Sequence, residues 1–106
     1  MPLYMDRHDL SGMNEEELAA AHDRDVAIQH AHGAVCHTYW FDEPRQSAFC
    51  LIDAPSPEAI QELHREAHGE LASEIIEVDP AVVQAFMGRT RDPEPPPKEP
   101  AHPRRD

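Results

Sequence analysis

Leu3, Met5 and Arg7 fall on one side of an extended chain and Tyr4, Asp6 and His8 on the other, the period of two that predicts a strand over 3–8. Ser11-Gly12 interrupts it. Asn14 followed by Glu15, Glu16 and Glu17 reads as a capping box, with acids where the helix dipole favours them, and predicts a helix over 15–31 that Gly33 stops. Residues 35–42 are rich in β-branched and aromatic side chains and 48–54 are largely apolar. Glu43-Pro44-Arg45-Gln46 between them makes the two a hairpin. Ser56 as cap with Pro57 at the first helical position starts a second helix, which runs to His68 and ends at Gly69. Residues 73–78 form a fourth strand. Asp79-Pro80 opens a short helix over 80–88 carrying Val82, Val83, Phe86 and Met87, and the six prolines of 89–106 leave that tail extended or disordered.

The order strand, helix, strand, strand, helix, strand predicts an α+β, ferredoxin-like βαββαβ fold, a four-stranded antiparallel sheet with both helices on one face. The expected domain is 1–79, followed by the 80–88 helix and the 89–106 tail. A domain of this size buries a limited share of its surface, so a second copy covering the open sheet face is expected, giving a homodimer of the α+β barrel type.

Charge narrows the partners. Residues 1–88 hold 17 acids against four bases, Arg7, Arg24, Arg45 and Arg65, within a chain of net charge -12, and they carry seven of its eight histidines. Such a body repels phosphate backbones and anionic headgroups, which argues against nucleic acid and membrane and leaves cations or a basic protein patch. No apolar run approaches the roughly 20 residues that span a bilayer, and a cytoplasmic protein is expected. Placing Cys36 opposite Cys50 would leave the hairpin almost no loop, so reduced thiols are expected rather than a disulfide.

His64 and His68 lie one helical turn apart and share a face, the spacing with which two imidazoles grip a divalent cation. Ile60, Leu63 and Ala67 make the apolar stripe of that helix, so the pair follows its flank, either as a solvated edge or as half of a metal site. Arg65 stands where a zinc protease of this spacing needs its glutamate, which removes that reading. On the first helix Leu18, Ala21, Asp25 and Ile28 fall in one sector with His22 beside them. Asp25 then points along the sheet, to be satisfied by His22, by an arginine or by a metal. His37 and Tyr39 are expected on a common face of the second strand. No Gly-rich phosphate loop, nucleophile elbow or Cys-x-x-Cys is present in the sequence.

The runs Tyr39-Trp40-Phe41-Asp42-Glu43, Phe49-Cys50-Leu51, Ala54-Pro55-Ser56, His64-Arg65-Glu66-Ala67-His68-Gly69 and Glu74-Ile75-Ile76-Glu77-Val78, over residues 1–79, resemble a family of small bacterial proteins. They carry a domain of unknown function, and some members are described as nickel-binding. The resemblance implies a dimeric ferredoxin-like fold and a divalent ion, Ni(II) before Zn(II) or Cu(II). It also implies metal roles for the matching polar positions Asp6, His8, His22, Asp25, His64 and His68. Mixed nitrogen and oxygen donors suit nickel, although copper binds the same donors more tightly. The leading expectation is a non-enzymatic metal-binding protein for nickel sequestration or response. The alternative is a small dimeric α+β barrel enzyme in which His22, Asp25 or His64 moves a proton on an organic substrate. A third is an interaction module recruited through the Pro-rich tail.

Overall fold

Six elements follow one another as the pattern predicts: β1 (Leu3–Asp9), α1 (Glu15–Ile28), β2 (Val35–Asp42), β3 (Ser47–Asp53), α2 (Pro57–Ala67) and β4 (Glu74–Val78). The structure, a computed structural model, describes residues 1–82. Most of the expected 80–88 helix and all of the 89–106 tail lie outside the described residues. The sheet order is β2-β3-β1-β4 with every neighbouring pair antiparallel, the ferredoxin-like arrangement, and both helices pack on one face.

Local signals set the helix starts. Asn14 Oδ1 accepts the Glu17 N–H at 2.8 Å and Glu17 Oε1 accepts the Asn14 N–H at 2.9 Å, the reciprocal pair of a capping box. The Ser56 hydroxyl accepts the Ala59 N–H at 3.1 Å ahead of Pro57. The α-helical part of α1 ends earlier than expected. Gln29–His32 tighten into a 3-10 turn that closes on left-handed Gly33, while the Gln29 side chain accepts the Cys36 N–H at 2.8 Å and so ties the turn to β2.

Along β1, Tyr4, Asp6 and His8 stand opposite Ile52, Cys50 and Ala48 of β3 and face the helices. Tyr4 joins Ala34, Ile52, Ala54, Ile60 and Leu63 in the apolar core. Two and four residues further along the same strand face the core turns polar, with Asp6 and His8 buried beside Asp25 and His64. The expectation for His37 and Tyr39 fails. The β2/β3 register shifts between Cys36 and Thr38, so an extra residue separates their faces. Tyr39 meets His22 of α1, whereas His37 Nε2 lies 2.7 Å from Asp53 Oδ2 on the other side of the sheet.

Cys36 pairs in register with Ile52, and Cys50 with Tyr39; both cysteines are free, as expected, and half-buried. No helix among the described residues is long and apolar enough to cross a membrane.

Gly69 closes α2 at φ +87°, with open space where a Cβ would project. Its N–H donates to the His64 carbonyl at 2.8 Å. A Gly69→Ala substitution meets no clash and carries only the backbone penalty, so it should destabilise the fold by about 1–2 kcal/mol in urea melts.

Candidate metal centre

The polar part of the core is assembled from three elements. Alternation on β1 aims Asp6 and His8 under the helices. On α1, Asp25 lies one turn beyond Ala21, and these are the two buried residues of that helix. On α2, His64 lies one turn beyond Ile60, and its ring is fully buried rather than on the flank the apolar stripe suggested. Leu63 and Ile60 define a stripe, but the stripe is wide enough to include the i+4 position of Ile60.

His64 is the hub. Its Nε2 lies 2.7 Å from Asp6 Oδ2 and its Nδ1 3.1 Å from Asp25 Oδ1. An ionised carboxylate only accepts hydrogen bonds, so both ring nitrogens donate and His64 is an imidazolium. Burial alone would lower its pKa, but the hydrogen bonds to Asp25 and Asp6 and their charges outweigh it and raise it to about 9. The partners respond in kind. Burial pushes the Asp6 carboxyl up, yet the hydrogen bond with His64 and the His8 ring close beside it bring it down to about 2. Asp25 is also lowered, against its burial, by His64 and His68. The Cys50 N–H adds a further donor to Asp6 Oδ1 at 3.1 Å. Burial, helped by the Asp25 and Asp6 charges, raises the Cys36 thiol to about 12 and the Cys50 thiol well above its ordinary value.

The remaining predicted residues divide. His68 Nε2 lies 3.1 Å from both oxygens of Asp25, so among the described residues the partners of Asp25 are His64 of α2 and the capping His68, and neither His22 nor an arginine. His8 packs edge-on against His64 with centroids 4.6 Å apart. Its Nε2 is 3.2 Å from Asp6 Oδ1 but out of line for a hydrogen bond, and this buried atom has no hydrogen-bond partner among the described residues. His22 stands apart from both donor groups. It contacts Tyr39 and lines a cavity of about 20 Å³ together with His8, Asp25, Cys50 and His68, room for a single water.

Two donor sets overlap at His64: Asp6, His8 and His64, and Asp25, His64 and His68, each with ligand atoms within 4.8 Å of one another. Neighbouring ligands bound to one first-row ion at about 2.1 Å lie roughly 3 Å apart, close to the 2.7 and 3.2 Å contacts of Asp6. Imidazole with carboxylate is a donor mixture that suits a divalent transition metal. The unpartnered His8 Nε2 is what such an ion would satisfy, since buried polar atoms rarely go without a partner. What the sequence did not disclose is the supporting frame, namely the Cys50 N–H on Asp6 and the Glu70 N–H, which donates to His68 Nδ1 at 3.0 Å. Only Gly69, as the residue that turns Glu70 back over the ring, signals the second.

The comparison with curated proteins found no match. Among solved structures the chain is similar to that described as "Crystal structure analysis of SCO4226 from Streptomyces coelicolor A3(2)". The identity is 34%, with 72% of this chain and 94% of that chain covered, at a TM-score of 0.67. The family model described as "Nickel responsive protein SCO4226-like" matches residues 4–78, the span from β1 to the end of β4 that holds every residue of the polar core. The chain therefore belongs to the SCO4226-like family of nickel responsive proteins.

Proposed function

We propose that this protein is a non-enzymatic binder of a divalent metal, nickel in the first place, acting in nickel sequestration or response, with the ion held in the polar core of the ferredoxin-like domain. One observation carries the reading: Asp6, His8 and His64 bring a carboxylate and two imidazoles together in a buried place where His8 Nε2 lacks a hydrogen-bond partner. The description of the family supports nickel over zinc or copper.

Charge supports a single ion. In the metal-free core Asp6, Asp25 and the His64 imidazolium together leave one net negative charge. A divalent cation that displaces one proton from His64 brings these groups to neutrality, which a second ion would overshoot. The cavity beside His8 and Asp25 has room for a water and not for an organic substrate, which favours binding over acid/base catalysis.

The sheet face away from the helices carries Met5, Trp40, Phe49 and Ile76, all partly or well exposed. Covering that face with a second copy supports the homodimer in this reading.

Calorimetric titration of tag-free protein with Ni(II) tests the proposal. Binding of one ion per polar core is expected in the parent, with a large loss in Asp6→Asn, which keeps the shape of the side chain but removes its charge. Equal binding by the two proteins would refute the assignment.

A further inference from the structure

The two overlapping donor sets are not equivalent, and the hydrogen bonds on their histidines separate them. Resting on the metal-binding reading above, we infer that the ion is ligated by Asp6, His8 and His64 Nε2, while Asp25 and His68 form a positioning pair that fixes the tautomer of His64 and does not touch the metal.

His68 carries the argument. The Glu70 N–H donates to its Nδ1 at 3.0 Å, so Nδ1 holds the lone pair. Its Nε2 faces the ionised Asp25, which only accepts, so Nε2 carries the proton. His68 is thus held as a neutral ring whose hydrogen points at Asp25. Ligating through Nε2 would require the proton to move to Nδ1, breaking both hydrogen bonds at once. Ligating through Nδ1 would displace the Glu70 N–H. His8 is the opposite case, because its buried Nε2 has no hydrogen bond to lose.

Asp25 completes the division. It receives His64 Nδ1 at 3.1 Å and His68 Nε2 at 3.1 Å. When the Nε2 proton of His64 leaves, Asp25 keeps the remaining proton on Nδ1 and turns the Nε2 lone pair toward Asp6 and His8. A carboxylate behind a metal-bound histidine has this orienting effect in general, and losing such support costs roughly 10–100-fold in affinity. His68 holds Asp25 in place from the far side, with Gly69 supplying the turn that brings Glu70 over the ring.

Nitrogen NMR of the histidine rings, with diamagnetic Zn(II) as the probe, tests this together with Ni(II) titration of His8→Gln and His68→Gln. In the metal-free protein His68 should be the Nε2–H tautomer; an Nδ1–H ring would overturn the inference whether or not metal binds. On adding Zn(II), the Nε2 resonances of His8 and His64 should shift as metal-bound while those of His68 stay in place. A metal-bound His68 with an unperturbed His8 would also overturn it. His68→Gln keeps an amide N–H for Asp25 and should bind Ni(II) within about tenfold of the parent, whereas His8→Gln should lose well over the roughly hundredfold ceiling of a supporting contact. The reverse ranking contradicts the division of roles. A parent that binds neither metal while showing the expected His68 tautomer refutes the metal-binding reading, and the ligand assignment falls with it.

Discussion

Replacing His64 by alanine should abolish nickel binding and destabilise the metal-free fold by about 3–5 kcal/mol, the cost of removing one member of a buried ion pair. The imidazolium bridges Asp6 and Asp25 in the core, with both of its nitrogens used. Without it two carboxylates are left buried and lose the ring that bridges them. They respond by taking up protons, so the variant should regain part of its stability below about pH 5, where the parent gains nothing. Denaturant melts at pH 8 read the loss, and melts at pH 6 and pH 4.5, a range over which the His64 contribution of the parent is already complete, read the recovery. A loss under 1 kcal/mol at pH 8 would mean that the cluster is not the electrostatic centre described. His30→Ala, on the turn that follows α1 and outside both donor groups, serves as the control, with an expected change within about 0.5 kcal/mol.

Acidity moves metal affinity and metal-free stability in opposite directions. The pKa of His64 is raised from its ordinary 6.5 to about 9, so its contribution to stability is complete below pH 6.5 and is lost as pH rises through 9. That of Asp6 is lowered from 3.8 to about 2, so its contribution is complete above pH 3.8 and is lost as pH falls through 2. For these two groups the metal-free protein is most stable between about pH 4 and 6.5, and its Tm should fall from pH 6.5 toward 9.5. Nickel requires the Nε2 lone pair of His64 and so competes with its proton. Affinity should therefore rise about tenfold per pH unit up to about pH 9 and then level off. Near pH 7 about one proton should be released per ion, which titration in buffers of different ionisation enthalpy measures. Binding that levels off near pH 6.5 would show that the ligand is an ordinary solvent-exposed histidine instead.

The fold was legible because its signals are local. Asn14 with Glu17, Ser56 with Pro57, and the alternation over Leu3 to His8 each act within one turn or one strand, and the structure keeps all three. The irregularities were not legible. An extra residue near His37 depends on how β2 meets β3, and the tightening of the chain after Ile28 depends on a Gln29 side chain reaching Cys36. At the site, the two periodicities placed Asp6 with His8 on one strand face and Asp25 on a buried helix face. A hydropathy stripe treats histidine as polar, so it moved His64 to the flank, whereas two carboxylates from β1 and α1 hold it in the core. The meeting of residues 6, 25 and 64 is a tertiary event across 39 and 58 positions of chain, and spacing within any one element carries no trace of it. His22 illustrates the converse. One turn before Asp25 it shares the general direction of that residue, yet its ring goes to Tyr39 and the small cavity.

The most direct test of the buried centre is a crystal of the nickel-loaded protein measured on both sides of the nickel absorption edge. The account predicts an anomalous peak in the core, within bonding distance of Asp6, His8 and His64 Nε2. Nickel found only at histidines outside the core, such as exposed His30 and half-buried His32, with the Asp6–His64–Asp25 hydrogen bonds intact, would contradict it.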